Sequence, residues 1–339
     1  MMKRREFLKS SLWAAAGMGL VSWTSRGELV LGHGDFRYKV DLNWGALNAQ
    51  FYPVKDCHEL VQDKQGRIIL LTNHTRNNIL IYNRDGRLLD AWGTDFPGAH
   101  GLTLKDEGGE EFLYITDTER HEVIKTTLNG RVVWAWGYPK ASGVYDSPSQ
   151  YIPTETAVAD NGDVYIADGY GSQYILHYNQ KGELLNVFGG RGEGEAQFLN
   201  AHGICIDQRG QAPELLITAR QQNQLKRFGM DGALKGVIDL PGAYICRPVV
   251  HGSNVYLGTI WSGDGSSGTG FVSILDEHNR LISAPGGVAP VYEEDQLRPM
   301  YQVLRVFTHP HDVCVDEDEN LYVAQWNAGF TYPIKLTRV

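Results

Sequence analysis

One pattern recurs along this chain roughly every 40 to 65 residues, and it restricts the fold more than any other feature. Copies begin at His58, His100, Thr154, His202 and His311, with a degenerate copy over 243–285. The complete ones hold four short runs rich in β-branched and aromatic residues, such as 67–72, 79–82 and 88–93 in the first. Turn dipeptides divide the runs: Asp85-Gly86, Asn161-Gly162 and Lys181-Gly182 are hairpin chemistry. Four strands per unit at this period predict a propeller blade, so the expectation is an all-β, six-bladed β-propeller. The last copy lacks an outer strand, and residues 38–45, ahead of the first copy, are placed to supply it and close the ring. A β-sandwich would leave the matching residues at the repeat starts unexplained, and period-2 patterning excludes a helical solenoid.

Composition narrows the function. Of the 339 residues, 42% are hydrophobic and 21% charged, as in a globular protein, and the net charge of −9 argues against a nucleic-acid partner. No apolar run reaches the ~18 residues a membrane helix needs, so no span is expected in the mature chain. At the N-terminus, Arg4 and Arg5 precede Phe7, Leu8 and Lys9 and then an apolar stretch over 12–21, the pattern of a twin-arginine signal. Residues 1–30 are therefore assigned to a signal peptide and 31–339 to the propeller. The expected product is a monomer, periplasmic or secreted, exported already folded. The four cysteines, Cys57, Cys205, Cys246 and Cys314, suggest no disulfide framework and are expected as buried thiols. The glycine-rich stretch 189–198 lacks the Lys-Ser/Thr of a phosphate loop and is expected to link blades three and four. Residues 262–270 form a second Gly/Ser loop, expected near the mouth of the ring.

Antiparallel pairing puts the start of a blade's first strand and the end of its second on one face. His58, His100, Thr154, His202 and His311 are then gathered near the central channel, with His74, Arg76, Arg120, Tyr170, Arg220 and Trp326 on the same face. Three imidazoles around one point suit a Zn²⁺ site with an open fourth position; the alternative is a polar, water-filled channel whose histidines bind no ion. His33, His121, His177, His251 and His278 fall off this register.

These residues resemble the NHL-repeat propellers, and specifically the peptidyl-α-hydroxyglycine α-amidating lyases. The resemblance covers most of the chain after about residue 55 and is densest over 152–228 and 307–324. It implies that His100, His202 and His311, each followed by Gly or Asp at a blade start, hold a catalytic zinc, with His58 a candidate extra ligand. By the same resemblance Tyr170, in Asp168-Gly169-Tyr170, is the catalytic base, while Arg220 and, by a looser alignment, Arg76 clamp a substrate carboxylate. A structural calcium would be held by Asp312 and the backbone oxygen of Leu102. His309, His74 and Trp326 are carried as substrate-binding residues. Departures from the family are His309, where the animal enzymes have methionine, and 171–174, where a family arginine and disulfide cysteine are missing.

The implied reaction cleaves a carbinolamide N–C bond in a small-molecule or peptide substrate, giving an amide and a glyoxylate-like acid. Two other classes stay open. A non-catalytic propeller could bind a protein or carbohydrate, using Trp92, Trp134, Trp136, Trp261 and Trp326. A lactonase-like metal-dependent hydrolase would want carboxylates in the channel, where only Glu59 and Glu155 sit near the register.

Overall fold

The computed structural model describes residues 28–339 and turns the repeat into six antiparallel sheets. Blade one comprises Cys57–Gln62, Ile68–Thr72, Ile79–Tyr82 and Leu88–Trp92. The inner strands of blades two to six are Ala99–Glu107, Glu155–Val158, Ala201–Asp207, Ala243–His251 and Pro310–Val315. These touch in cyclic order and the sixth returns to the first, so the ring is closed around a channel. The degenerate fifth copy is a full four-stranded blade.

Closure uses both ends of the chain. Phe36–Asp41 pairs antiparallel with Ile334–Arg338 in blade six, Tyr38 facing Arg338, as the missing outer strand required. Unanticipated is a fifth strand, Val30–His33, joined to Phe36–Asp41 by the two-residue turn Gly34-Asp35, a tight hairpin of the kind that favours glycine first. The twin-arginine motif lies outside the described residues. Among the described residues no helix is long and apolar enough to cross a membrane.

The apolar core is divided among the interfaces between blades. One cluster joins Leu216 and Leu225 of blade four to Ile245, Leu257 and Phe271 of blade five; another joins Leu60 and Leu70 of blade one to Tyr322 of blade six. Each fully buried side chain of this size contributes about 1.5–3 kcal/mol. At the periphery an aromatic from one blade lies on a turn glycine of the next: Trp92 on Gly130, Trp136 on Gly182, Phe188 on Gly232. Gly130 and Gly232 have φ of +85° and +83°, and an added Cβ would stand 2.7 Å from the ring in each case, so no other residue suits both the turn and the contact.

Five of the six inner strands carry a register shift near the channel: between Cys57 and Glu59, Ala99 and Leu102, Ala201 and Ile204, Ile245 and Pro248, and Pro310 and Asp312. A regular strand sends consecutive side chains to opposite faces. A bulge re-aims them, and here it lets pairs such as His58-Glu59, Cys246-Arg247 and His311-Asp312 both reach the axis, in two layers.

Candidate metal centre and its cavity

The upper layer is a cluster of imidazoles. His58, His100, His202 and His311 are 5%, 2%, 1% and 1% exposed, and each ring lies 4.8–4.9 Å, centroid to centroid, from at least two of the others. Backbone carbonyls fix two tautomers. Nδ1–H of His100 donates to the Thr154 carbonyl at 2.9 Å, and Nδ1–H of His311 to that of His58 at 3.0 Å. Both rings therefore turn an Nε2 lone pair inward, the arrangement by which outer partners orient metal-binding histidines. Nε2 of His311, Nδ1 of His202 and Nδ1 of His58 have no hydrogen-bond partner although buried. Burial holds all four imidazoles neutral, with Arg220 adding to the effect; His58 is pushed down to about 3 and the others well below the ordinary histidine range.

Neutral imidazoles packed around one point, with the inward Nε2 of His311 unpaired, fit a cation better than an empty polar channel. Nε2 of His100 and Nε2 of His202 are 3.2 Å apart, close to the about 3.4 Å between two nitrogens of one tetrahedral zinc. The ligand atoms of His58, His100 and His311 all lie within 4.8 Å of one another, as do those of His202, Cys246 and His311. Cys246 was not marked by its sequence, because blade five has Tyr244 and no histidine at its start. Its thiol is buried, raised by that burial, and receives a hydrogen bond from the Arg220 guanidinium at 3.0 Å.

Blade three contributes a phenol. Asp168 accepts the backbone N–H of Ile152 and of Ser172, both at 2.6 Å, which fixes the turn that carries Tyr170. Gly169 abuts blade four so closely that a Cβ would meet the Ala201 carbonyl oxygen at 2.2 Å. Tyr170 is 41% exposed as a residue, while its hydroxyl reaches down to within 3.0 Å of His100 Nε2 and 3.2 Å of His202 Nε2. Burial of the hydroxyl raises its pKa and the Arg220 charge opposes the rise.

Beside the cluster opens a cavity of about 440 Å³ lined by Tyr170, Arg220, Arg191, Trp261 and Trp326 among others. Arg220 is buried and Trp326 lies on the wall, as their register suggests. Arg76 does not join them: it is exposed on the rim, with its guanidinium on the Gln50 carbonyl at 2.9 Å. The second guanidinium at the cavity belongs to Arg191, in the 189–198 connection, anchored on the Gly171 carbonyl at 2.9 Å. His74 stays on the same rim turn as Arg76 and accepts that residue's backbone N–H.

His309, expected to face the substrate, is buried and fully engaged. Its Nδ1 meets the carbonyls of Trp326 and Asn327, and its Nε2 accepts from Ser267 Oγ at 2.8 Å and the Gly268 N–H at 3.0 Å. It fastens the Gly/Ser loop to the rim rather than presenting a free nitrogen. All four cysteines are free, as expected.

The lower layer corrects the calcium assignment. The position between Asp312 and the Leu102 carbonyl is filled by the Arg247 guanidinium, which donates to both Asp312 oxygens at 3.0 and 2.8 Å, to the Leu102 oxygen at 2.9 Å and to the Leu60 oxygen at 3.0 Å. A calcium ion does not fit where a side chain already stands. Glu59 and Glu155 lie 3.5 and 4.0 Å from the same guanidinium, so the channel carboxylates face Arg247 and not the cavity, unlike those a hydrolase would use.

No family model matches the chain. NHL repeat-containing protein 3 of Homo sapiens is 28% identical over 220 residues, 62% of this chain and 60% of that protein. A probable peptidyl-alpha-hydroxyglycine alpha-amidating lyase of Caenorhabditis elegans is 28% identical over 167 residues, 48% of this chain and 46% of that one. Peptidyl-alpha-hydroxyglycine alpha-amidating lyase 1 of Drosophila melanogaster is 34% identical over 110 residues, 31% of this chain and 19% of that one. The matched region thus spans less than two thirds of these relatives. Among solved structures, a streptogramin B lyase aligns with a TM-score of 0.57 at 13% identity, covering 84% of this chain and 94% of that one. The virginiamycin B lyase of Staphylococcus aureus gives 0.54 at 13%, covering 94% of both chains. At these identities the structures share the fold alone.

Proposed function

We propose that the chain is a metal-dependent carbon–nitrogen lyase of the α-hydroxyglycine amidating type, acting on an N-acyl carbinolamide that carries a carboxylate. The supporting observation is that Tyr170 and Arg220, from blades three and four, line one cavity beside four neutral, buried imidazoles, two of which, His100 and His202, the Tyr170 hydroxyl reaches. Similarity to relatives named as amidating lyases points the same way. His100, His202 and His311 would hold zinc, with His58 and Cys246 at hand as further ligands. When bound, zinc supplies Lewis acidity toward the oxygens of the substrate.

The remaining chemistry falls to the side chains. Arg220 offers a planar fork of donors to the substrate carboxylate, with Arg191 across the cavity, and the acyl group lies toward Trp261 and Trp326. Tyr170 removes the hydroxyl proton; as the C–O bond becomes a carbonyl, the C–N electrons leave with nitrogen. Nitrogen takes a proton, and Tyr170 is placed to return the one it accepted, so the balance closes on an amide and an α-keto or aldehyde acid. Burial opposes ionisation of the phenol, so positive charge from Arg220 is needed to make it a base.

The test is to measure metal content and then release of glyoxylate from N-acyl-α-hydroxyglycine. Zinc-loaded protein that releases none would refute the lyase. Export through the twin-arginine route is proposed on Arg4 and Arg5 alone, and placement outside the cytoplasm follows from it.

A further inference from the structure

We infer that Arg247 is a built-in cation, standing at the centre of the propeller in place of a divalent ion and making this chain independent of calcium. The guanidinium binds Asp312 of blade six through two parallel hydrogen bonds, and the carbonyls of Leu60 in blade one and Leu102 in blade two. Glu59 and Glu155 bring carboxylates from blades one and three to 3.5 and 4.0 Å. One residue of blade five thus ties together oxygens from four other blades. The planar fork of arginine suits the bidentate contact, and its five N–H donors allow it to serve several oxygens at once.

Three carboxyl groups surround one guanidinium. The Oε2 atom of Glu155, which is wholly buried, has no hydrogen-bond partner. Two backbone carbonyls and three carboxylates are a hard oxygen set of the kind calcium takes with six to eight ligand atoms. What stops an ion from using them is the side chain in the way. The site is also reachable, since Arg247 lines a cavity of about 240 Å³ with Thr103, Thr156 and Cys205, on the side of the channel away from Tyr170. Removing the guanidinium converts a filled cradle into a calcium site.

The experiment uses the zinc-loaded chain. Calcium content and thermal melting are measured with EGTA and with millimolar calcium, both buffered to the same free zinc because EGTA also binds zinc, for the wild type and for Arg247→Ser and Arg247→Lys. The wild type should carry no stoichiometric calcium and melt at the same temperature in both buffers. Arg247→Ser should take up about one calcium per chain and melt higher with calcium than with EGTA. Arg247→Lys should keep a cation in place and stay indifferent. Wild-type protein that holds calcium, or melts lower in EGTA, overturns the inference. So does Arg247→Ser that folds but ignores calcium, or fails to fold with calcium supplied; a variant that folds only with calcium upholds it.

Discussion

The hydroxyl of Tyr170 lies 3.0 Å from Nε2 of His100, although one side chain sits in the turn after the second strand of blade three, Val164–Ala167, and the other near the start of the inner strand of blade two. The contact joins the one phenol of the cluster to a ring whose lone pair is already aimed by the Thr154 carbonyl. The proposed base, set beside a proposed metal ligand, can be tested apart from the metal. Tyr170→Phe should keep full zinc content and an unchanged fold, while glyoxylate release falls about 10²–10⁴-fold. Unchanged turnover would dismiss Tyr170 as the base.

Replacing His202 or His311 by Ala should cut bound zinc from about one ion per chain to a small fraction of that, read by elemental analysis after dialysis. Circular dichroism should still report a β-protein, because the interblade clusters do not include either ring. Zinc retained at full occupancy in both variants would mean that the metal, if any, binds elsewhere.

The two arginines expected to clamp a substrate carboxylate should separate. Arg220→Ala should raise KM and lower kcat/KM by about 10²-fold or more, because a desolvated charge-assisted contact is lost. Arg76→Ala should leave both constants within about twofold, since its guanidinium serves only the Gln50 carbonyl on an exposed rim. Equal losses in the two variants would restore Arg76 to the clamp.

Gly169→Ala forces a methyl to within 2.2 Å of the Ala201 carbonyl oxygen and 2.5 Å of Thr154 Oγ1. Backbone cannot yield as a flexible side chain can, so a loss of about 1–3 kcal/mol is expected in denaturant unfolding, together with displacement of Tyr170 and reduced activity. Wild-type stability would show that the blade three–four contact is looser than it looks.

Asp168 sets a pH dependence. Burial raises its pKa to about 6 despite the backbone N–H groups it accepts, against an ordinary value near 3.8. Between these values the folded protein binds more protons than the unfolded chain. Its contribution is therefore greatest below the unfolded pKa and is lost as pH rises through the folded one. Stability against urea should drop between about pH 4 and 6, and Asp168→Asn should flatten part of that slope. A slope unaltered by Asp168→Asn would assign it to other buried carboxyls such as Glu59 and Asp117, which are shifted the same way.

How much of this was legible follows from what a repeat encodes. Turn dipeptides and alternating runs mark strands, so the blades, the closing strand and the convergence of His58, His100, His202 and His311 could be read from spacing. Bulges have no such mark. With strict alternation Arg247 would point away from Cys246, and Asp312 away from His311; only the register shifts bring both members of each pair to the axis. Rim residues escaped for a different reason. Whether Arg76 or Arg191 turns toward the cavity depends on the length and course of its loop, which strand register does not govern.

Blade six has a consequence in time. The Tyr38 hydroxyl accepts a hydrogen bond from Arg338, 300 positions later, and Phe36–Asp41 has its inner neighbour only in Ile334–Arg338. During synthesis the earliest described strands emerge with a bare edge and keep it until Ile334–Arg338 has been made. A ribosome stalled before Ile334 would release a chain with an open edge at each end, a template for pairing with other molecules. Assembly of the ring therefore waits on Ile334–Arg338, and truncations before Ile334 should behave as aggregating chains rather than as slightly shortened proteins.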